Sequence, residues 1–321
     1  MTIISASTFL LILFILEFAY FKIADHFNII DKPNHRSSHT EVTIRGGGVI
    51  FAISVILFYF LFNFEYPYFV IGLFLISAIS FIDDVVTLNN KIRLSVHLLA
   101  VALMFYQWNL FDLNWYWIVV AVIFVIGTIN AYNFMDGING ITGAYSLITV
   151  ITLYYLNTLF SFANQNLIIC TGLALLVFNF FNFRKKAKCF AGDVGSVSIA
   201  FILIFLIGLL ILKTQNLSYI LLFLLYGLDA VFTIFFRVIR KENIFEAHRS
   251  HFYQYLSNEL KWPHLQVSAL YFAIQLIINL CLIFWTKDSM ILNCILVFAL
   301  SIVFLIIRFK LEGKQRLLNL Q

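Results

Sequence analysis

The chain has 321 residues, 62% of them apolar and only 12% charged, about half the charged fraction of an average soluble domain. Mean hydropathy of +0.95 and apolar runs of about 20 residues along the whole length exclude a water-soluble globule, because one core cannot bury that much apolar surface. The runs lack the strict alternation of a membrane barrel, so they predict helices of an all-α, polytopic integral membrane protein.

Apolar runs between polar breaks predict eleven spans: 3–21, 47–63, 67–82, 94–107, 115–129, 141–160, 166–183, 197–212, 218–236, 265–285 and 289–307. The first begins right after Met1, with no basic segment ahead of it and no cleavage site of small residues, and reads as a retained helix. The fourth is short and carries His97. With the N-terminus outside, every Lys and Arg except Lys213 and Lys287 falls in the odd-numbered loops or the C-terminal tail. The positive-inside rule then makes those loops and the tail cytosolic, so the net charge of +5 reports topology and calls for no nucleic acid. Cys170, Cys189, Cys281 and Cys294 show no CxxC spacing and read as small apolar residues. The whole chain, 1–321, reads as one transmembrane domain, with functional loops near 22–46, 83–93, 130–140, 184–196 and 237–264.

Of the 14 glycines, eight lie in three cytosolic segments, at Gly46 to Gly48, at Gly137, Gly140 and Gly143, and at Gly192 and Gly195. Glycine lets a backbone approach a ligand, and successive free N–H groups bind anionic oxygens, so a phosphate is the expected partner. The segment FIDDVVTLNNKIR puts Asp83 and Asp84 at the end of a helix, followed by Lys91 and Arg93. Two carboxylates at that depth must be hydrated, paired or bound to a cation. They are either a centre that meets a phosphorylated substrate with Mg2+ or a pair neutralised by Lys91 and Arg93. In NAYNFMDGINGITG, Asn130, Asn133 and Asp136 are spaced by three and share a face if the helix continues, and such hard oxygens suit Mg2+. In FAGDVGSVS, Asp193 sits in a Gly-rich turn at the head of a helix, where an acid can hold a metal while backbone N–H groups hold a phosphate. HRSHFYQYL brings His248, Arg249 and His251 together. Spacing alone would allow zinc, but no third soft ligand is near, so a diphosphate clamp is preferred.

The segments DKPNHRSSHTEVTIRGGG, IDDVVTLNNKIRL, NAYNFMDGINGITG, AGDVGS and HRSHFYQYL, in that order, resemble the bacterial polyprenyl-phosphate N-acetylhexosaminyl-1-phosphate transferases, a glycosyltransferase family 4 type. The surface-polysaccharide initiators are closer than the peptidoglycan enzyme, whose run of consecutive histidines is missing from the last long inner loop. The resemblance implies transfer of a sugar 1-phosphate from a UDP-N-acetylhexosamine to undecaprenyl phosphate at the cytosolic face of the bacterial inner membrane, releasing UMP. It implies Mg2+, with Mn2+ as a substitute, membrane lipid as surroundings, and leaves a homodimer open. By the same resemblance Asp83 and Asp84 are the catalytic acids, and Asp193 with Asn133 holds the metal. Lys32, Arg36, His39, Gly47, Lys91, Arg93, Asp136, Asn139, Gly192, Ser196, His248, Arg249 and His251 bind substrate. The chain departs from the family pattern before GDVGS, where NFRKKAKCFAGD places Asn182 one residue off and Arg184, Lys185 and Lys186 where prolines are usual.

Because a lipid phosphate is already mostly deprotonated at pH 7, a strong base is unnecessary and Asp193 with its metal is the central element. The competing reading is a transporter of a nucleotide-sugar or lipid-linked substrate, which needs ionisable groups at membrane depth. Glu17, His97 and Asp229 are the candidates; Asp229 either lines a cavity or is satisfied by an interhelical hydrogen bond.

Overall fold

The computed structural model describes residues 1–31, 42–244, 246 and 248–319. Eleven helical segments follow one another among them: α1 (Ile3–His26), α2 (Val49–Leu61), α3 (Pro67–Val85), α4 (Asn90–Gln107), α5 (Trp115–Met135), α6 (Ile141–Phe160), α7 (Gln165–Asn182), α8 (Gly192–Thr214), α9 (Leu224–Ile239, led by a 3-10 turn at Leu217–Phe223), α11 (His264–Leu280) and α12 (Met290–Leu318). The short α10 (Phe252–Gln254) lies in the loop before α11. The protein is an all-α, polytopic membrane protein. Nine of the segments are long and apolar enough to cross a membrane; α2 has 13 residues, and α4 opens on Lys91 and Arg93.

A helix forms at each of the eleven expected positions, nine of them long and apolar enough to cross a membrane, with shifts that matter for the chemistry. α3 runs on to Val85, so Asp83 and Asp84 sit in its last turn and not beyond it. α5 continues to Met135, carrying Asn130 and Asn133, with Asp136 at its C-cap. α8 starts at Gly192, which puts Asp193 in its first turn. In each case backbone hydrogen bonding carries a helix past the apolar run, because the polar residues at its end find partners on neighbouring elements.

α8 is the axis of the bundle. Its apolar stretch is 83% buried, against 11% for the peripheral α12, and α2, α3, α5 and α6 pack around it. The head of α8 lies against the start of α2 so closely that a Cβ on Gly195 would stand 2.6 Å from the Gly48 Cα. On the way in, β1 (Ile30–Asp31) pairs antiparallel with β2 (Thr43–Ile44), and Ile44 bridges to Cys189. The Gly47 and Gly48 N–H groups donate to the Phe190 and Ala191 carbonyls at 2.8 and 3.1 Å. The chain entering α2 is therefore stitched to the chain entering α8, at the end of the bundle where the polar loops gather.

A Gly195→Ala substitution should destabilise the protein by about 1–3 kcal/mol, since two backbones must separate to admit one methyl group. Gly227→Ala on α9, where a Cβ meets nothing within 4 Å, should be neutral or slightly stabilising. Thermal unfolding of the detergent-purified pair checks this; equal transitions for both would contradict the close contact.

Candidate active site

Asp84, in the last turn of α3, reaches across to the first turn of α8. Its Oδ1 accepts the Asp193 N–H and its Oδ2 the Val194 N–H, both at 2.9 Å. A carboxylate there complements the positive end of the α8 dipole and satisfies two donors that the helix cannot satisfy itself. Arg45 Nε lies 2.6 Å from the same Oδ1. The fit requires glycine at Gly192: its φ is +70°, and a Cβ would stand 2.6 Å from Asp84 Oδ2.

Asp83 faces the other way. Its Oδ1 accepts the Leu88 N–H at 2.7 Å and its Oδ2 pairs with Arg93 at 2.6 Å, closing the turn between α3 and α4. Asp193 stands between both arginines, with Oδ1 3.4 Å from Arg45 Nη2 and Oδ2 3.5 Å from Arg93 Nη2. Its contacts are the longest of the three acids, and its side chain stays 18% exposed. Of the pairing expected for the two acids, the Asp83–Arg93 half is present; Asp84 goes to Arg45, and Lys91 is exposed on the first turn of α4.

At the end of α5, Asn133 Oδ1 accepts the Ser196 hydroxyl at 2.8 Å, tying α5 to α8. Asp136 follows, half-buried and within electrostatic reach of Asp193, Asp84 and Arg45. Burial chiefly, with repulsion from Asp193 and Asp84, pushes its carboxyl from an ordinary 3.8 up to about 7. Asn139 Nδ2 donates to the Arg184 and Lys185 carbonyls at 2.9 and 3.2 Å. Asn182 Oδ1 accepts the Gly140 N–H at 2.7 Å while its Nδ2 donates to the Cys189 carbonyl at 2.8 Å. Both asparagines clasp loops together.

The His248–His251 segment packs on the other side of the α5 end. The two imidazoles stack at 5.0 Å and lie 6.0 and 6.4 Å from the Phe134 ring, and Tyr253 Oη donates to the Phe134 carbonyl. Burial first, then neighbouring His251 and Arg237, pushes His248 down to about 4, so at neutral pH it is an uncharged ring and not a positive clamp. Arg249 is half-buried in the same segment. Beneath it, Asp229 accepts the Phe252 and Tyr253 N–H groups at 2.8 and 3.2 Å and the Tyr271 hydroxyl at 2.5 Å, with His251 Nδ1 at 3.4 Å. Arg308 of α12 donates to the Ser250 carbonyl at 3.0 Å and pairs with Glu312.

Two expectations change. The N–H groups of Gly47, Asp193 and Val194 are not a phosphate cradle, because Phe190 and Asp84 already accept them. The positive charge beside these acids is that of the Arg45 and Arg93 guanidiniums, with Lys91 exposed nearby. Lys32, Arg36 and His39 lie outside the described residues. Of the braces, Asp229 takes the second of its two expected roles, satisfied by hydrogen bonds between elements, and Asn182 clasps loops, whereas Arg45 and Arg308 were not among the expected site residues; Arg45, directly before three glycines, had a readable signal.

Among the described residues no three His, Cys, Asp or Glu side chains converge as a ready metal site. The oxygen donors that exist suit Mg2+, which binds through one or two carboxylates and keeps waters or substrate phosphates for the rest. Asp193 and Asp136 are those with the loosest or fewest protein contacts.

Residues 66–211 match the family model Glycosyl transferase family 4. The matched segment runs from the start of α3 into α8 and holds Asp83, Asp84, Arg93, Asn133, Asp136 and Asp193, while Arg45 and the His248–His251 segment lie outside it. The match covers less than half of the chain and shows a likeness to that family over the stretch that carries most of the acidic site. No curated protein matches the sequence.

Two substitutions separate structure from chemistry. Asp84→Asn turns an amide N–H₂ toward donors and should destabilise by about 1–3 kcal/mol, whereas Asp193→Asn, losing only contacts of 3.4–3.5 Å, should leave the thermal transition unchanged. Equal losses would refute the division. Asp136 adds a pH dependence. Between about 4 and 7 the folded chain holds a proton there that the unfolded chain releases, so the contribution is full at low pH and is lost as pH rises through 7. In chelator, the wild-type transition should fall between pH 5 and 8 by more than that of Asp136→Asn.

Proposed function

We propose that the protein transfers an N-acetylhexosamine 1-phosphate from a UDP-sugar to undecaprenyl phosphate, releasing UMP, as the first step of a cell-envelope polysaccharide. The observation that carries this reading is Asp193 at the head of the central helix, held loosely between Arg45 and Arg93 with Asp136 close by. It is an acidic centre ringed by guanidiniums at the mouth of a membrane bundle, where a lipid phosphate and a soluble diphosphate can meet. The family match supports the reaction class, and the order of motifs supports the amino-sugar donor. The distribution of Lys and Arg supports a site on the cytosolic face of the bacterial inner membrane.

In the reaction, an oxygen of the lipid phosphate attacks the β-phosphorus of the UDP-sugar, and the bond from that phosphorus to the bridging oxygen breaks as UMP leaves. The nucleophile is already ionised near neutral pH, its second pKa being about 6, so the enzyme's work is positioning and charge stabilisation. Arg45 and Arg93 bring positive charge to the approaching phosphates, and each is aimed by a second carboxylate, Asp84 or Asp83. In this reading the Asp83–Asp84 pair serves by orienting its neighbours. Mg2+, held by Asp193 with Asp136, would neutralise diphosphate charge. Asn133 and Ser196 fix the separation of the helices that carry those two acids.

Asp229, a candidate for a transport pathway, is consumed by backbone and tyrosine donors, which removes one support for the transport reading. UDP-N-acetylglucosamine labelled in its β-phosphate, incubated with membranes and undecaprenyl phosphate, should pass label and sugar together to the lipid and release UMP. Excess UMP should run the exchange backward. Release of UDP, or vesicle uptake of the donor without lipid product, would overturn the proposal.

A further inference from the structure

The run Arg184-Lys185-Lys186-Ala187-Lys188, where the resembled family usually has prolines, has no part in the proposed reaction. It stands at the head of a groove of about 650 Å³ between α6, α7 and α11, lined by apolar side chains such as Leu147, Leu176, Phe180, Phe183 and Phe272, with the Asn179 amide and Arg184 as its polar members. Leu176, Phe180 and Phe183 are exposed on the outside of the bundle, so the groove opens toward the hydrocarbon of the bilayer. Arg184 is held at its end: Nε donates to the Phe180 carbonyl at 2.5 Å, and the guanidinium carbon lies 4.4 Å from the centre of the Phe180 ring. Lys185 and Lys188 are exposed beside it.

An apolar trough open to lipid and closed at the loop end by a guanidinium amid further positive charge matches one chemistry, an acyl chain joined to a phosphate. The proposed acceptor does not fit here, because the groove is walled off from the acidic centre. Gly140 packs against the Phe183 ring so closely that a Cβ would collide with it, and Asn182 and Asn139 pin the 139–140 turn to the Cys189 carbonyl ahead of α8 and to the Arg184 carbonyl.

We propose that this groove binds an anionic phospholipid of the surrounding bilayer, with one acyl chain along α6, α7 and α11 and the phosphate on Arg184. The proposal depends on the membrane fold and not on the reaction proposed above. Because Asn139 holds the Arg184 and Lys185 carbonyls, an occupied groove also steadies the turn that follows Asp136.

The test is native mass spectrometry of the detergent-purified full chain titrated with phosphatidylglycerol or phosphatidylcholine. Wild type should retain one phosphatidylglycerol in preference to phosphatidylcholine. Arg184→Gln should weaken phosphatidylglycerol about fivefold, the effect of one cation near a lipid phosphate, with phosphatidylcholine and the thermal transition unchanged. Ala144→Phe, which fills the groove, should abolish the preference. Equal retention of both lipids, or no effect of Arg184→Gln, would overturn the proposal. So would displacement of phosphatidylglycerol by equimolar undecaprenyl phosphate, which would assign the groove to the acceptor.

Discussion

The carboxylate of Asp84 is the joint on which the site depends. It belongs to the end of one membrane helix, caps the start of another, and holds the arginine that arrives from a third segment. Near a low-dielectric interior, such a group is tolerable only when hydrogen-bonded and paired, and here both oxygens receive a backbone donor and one also receives Arg45. The consequence is geometric: Asp193 is one of the two residues whose N–H groups Asp84 accepts, so its position is set before any ligand arrives. Two positive side chains are aimed at the same point by the same economy, each clipped to one acid and leaning on another.

The second half of the site repeats the device. Asp229 accepts the N–H groups of two successive residues, Phe252 and Tyr253, just as Asp84 accepts those of Asp193 and Val194. A buried acid on a membrane helix thus fixes the histidine segment from below, while Arg308 holds its Ser250 carbonyl from the last helix. These braces supply partners for a segment whose His251, Phe252 and Tyr253 are buried, where stray backbone groups would otherwise go unsatisfied.

Much of this was legible in the chain. The helices, their number and the acids that gather at one end follow from hydropathy runs and from glycines set beside Asp and Asn. What the linear pattern hides is assignment within a pair. Asp83 and Asp84 look alike in sequence, yet one closes a turn through Leu88 while the other caps a helix more than a hundred residues away. Asn139 and Asn182 carry the composition of a ligand site but spend their amides on loop carbonyls and an amide N–H. Gly47 looked like an anion site because a free N–H and one already bonded to a carbonyl are spelled with the same letter. Long-range pairing of this kind leaves no local periodicity to read.

The 3-10 turn ahead of α9 has an effect on everything after it. Its freed backbone groups are met by Gln275, which donates to the Leu221 carbonyl and accepts the Leu225 N–H, so the departure from α geometry persists inside the bundle. A 3-10 turn rises about 2.0 Å per residue against 1.5 Å, and advances about 120° against 100°. Over the seven residues from Leu217 to Phe223 the chain therefore gains roughly 3.5 Å of reach and about 140° of extra rotation. A continuous α-helix of equal residue count would leave Asp229 farther from the loop end of the bundle and on a different flank, facing away from the backbone it now holds.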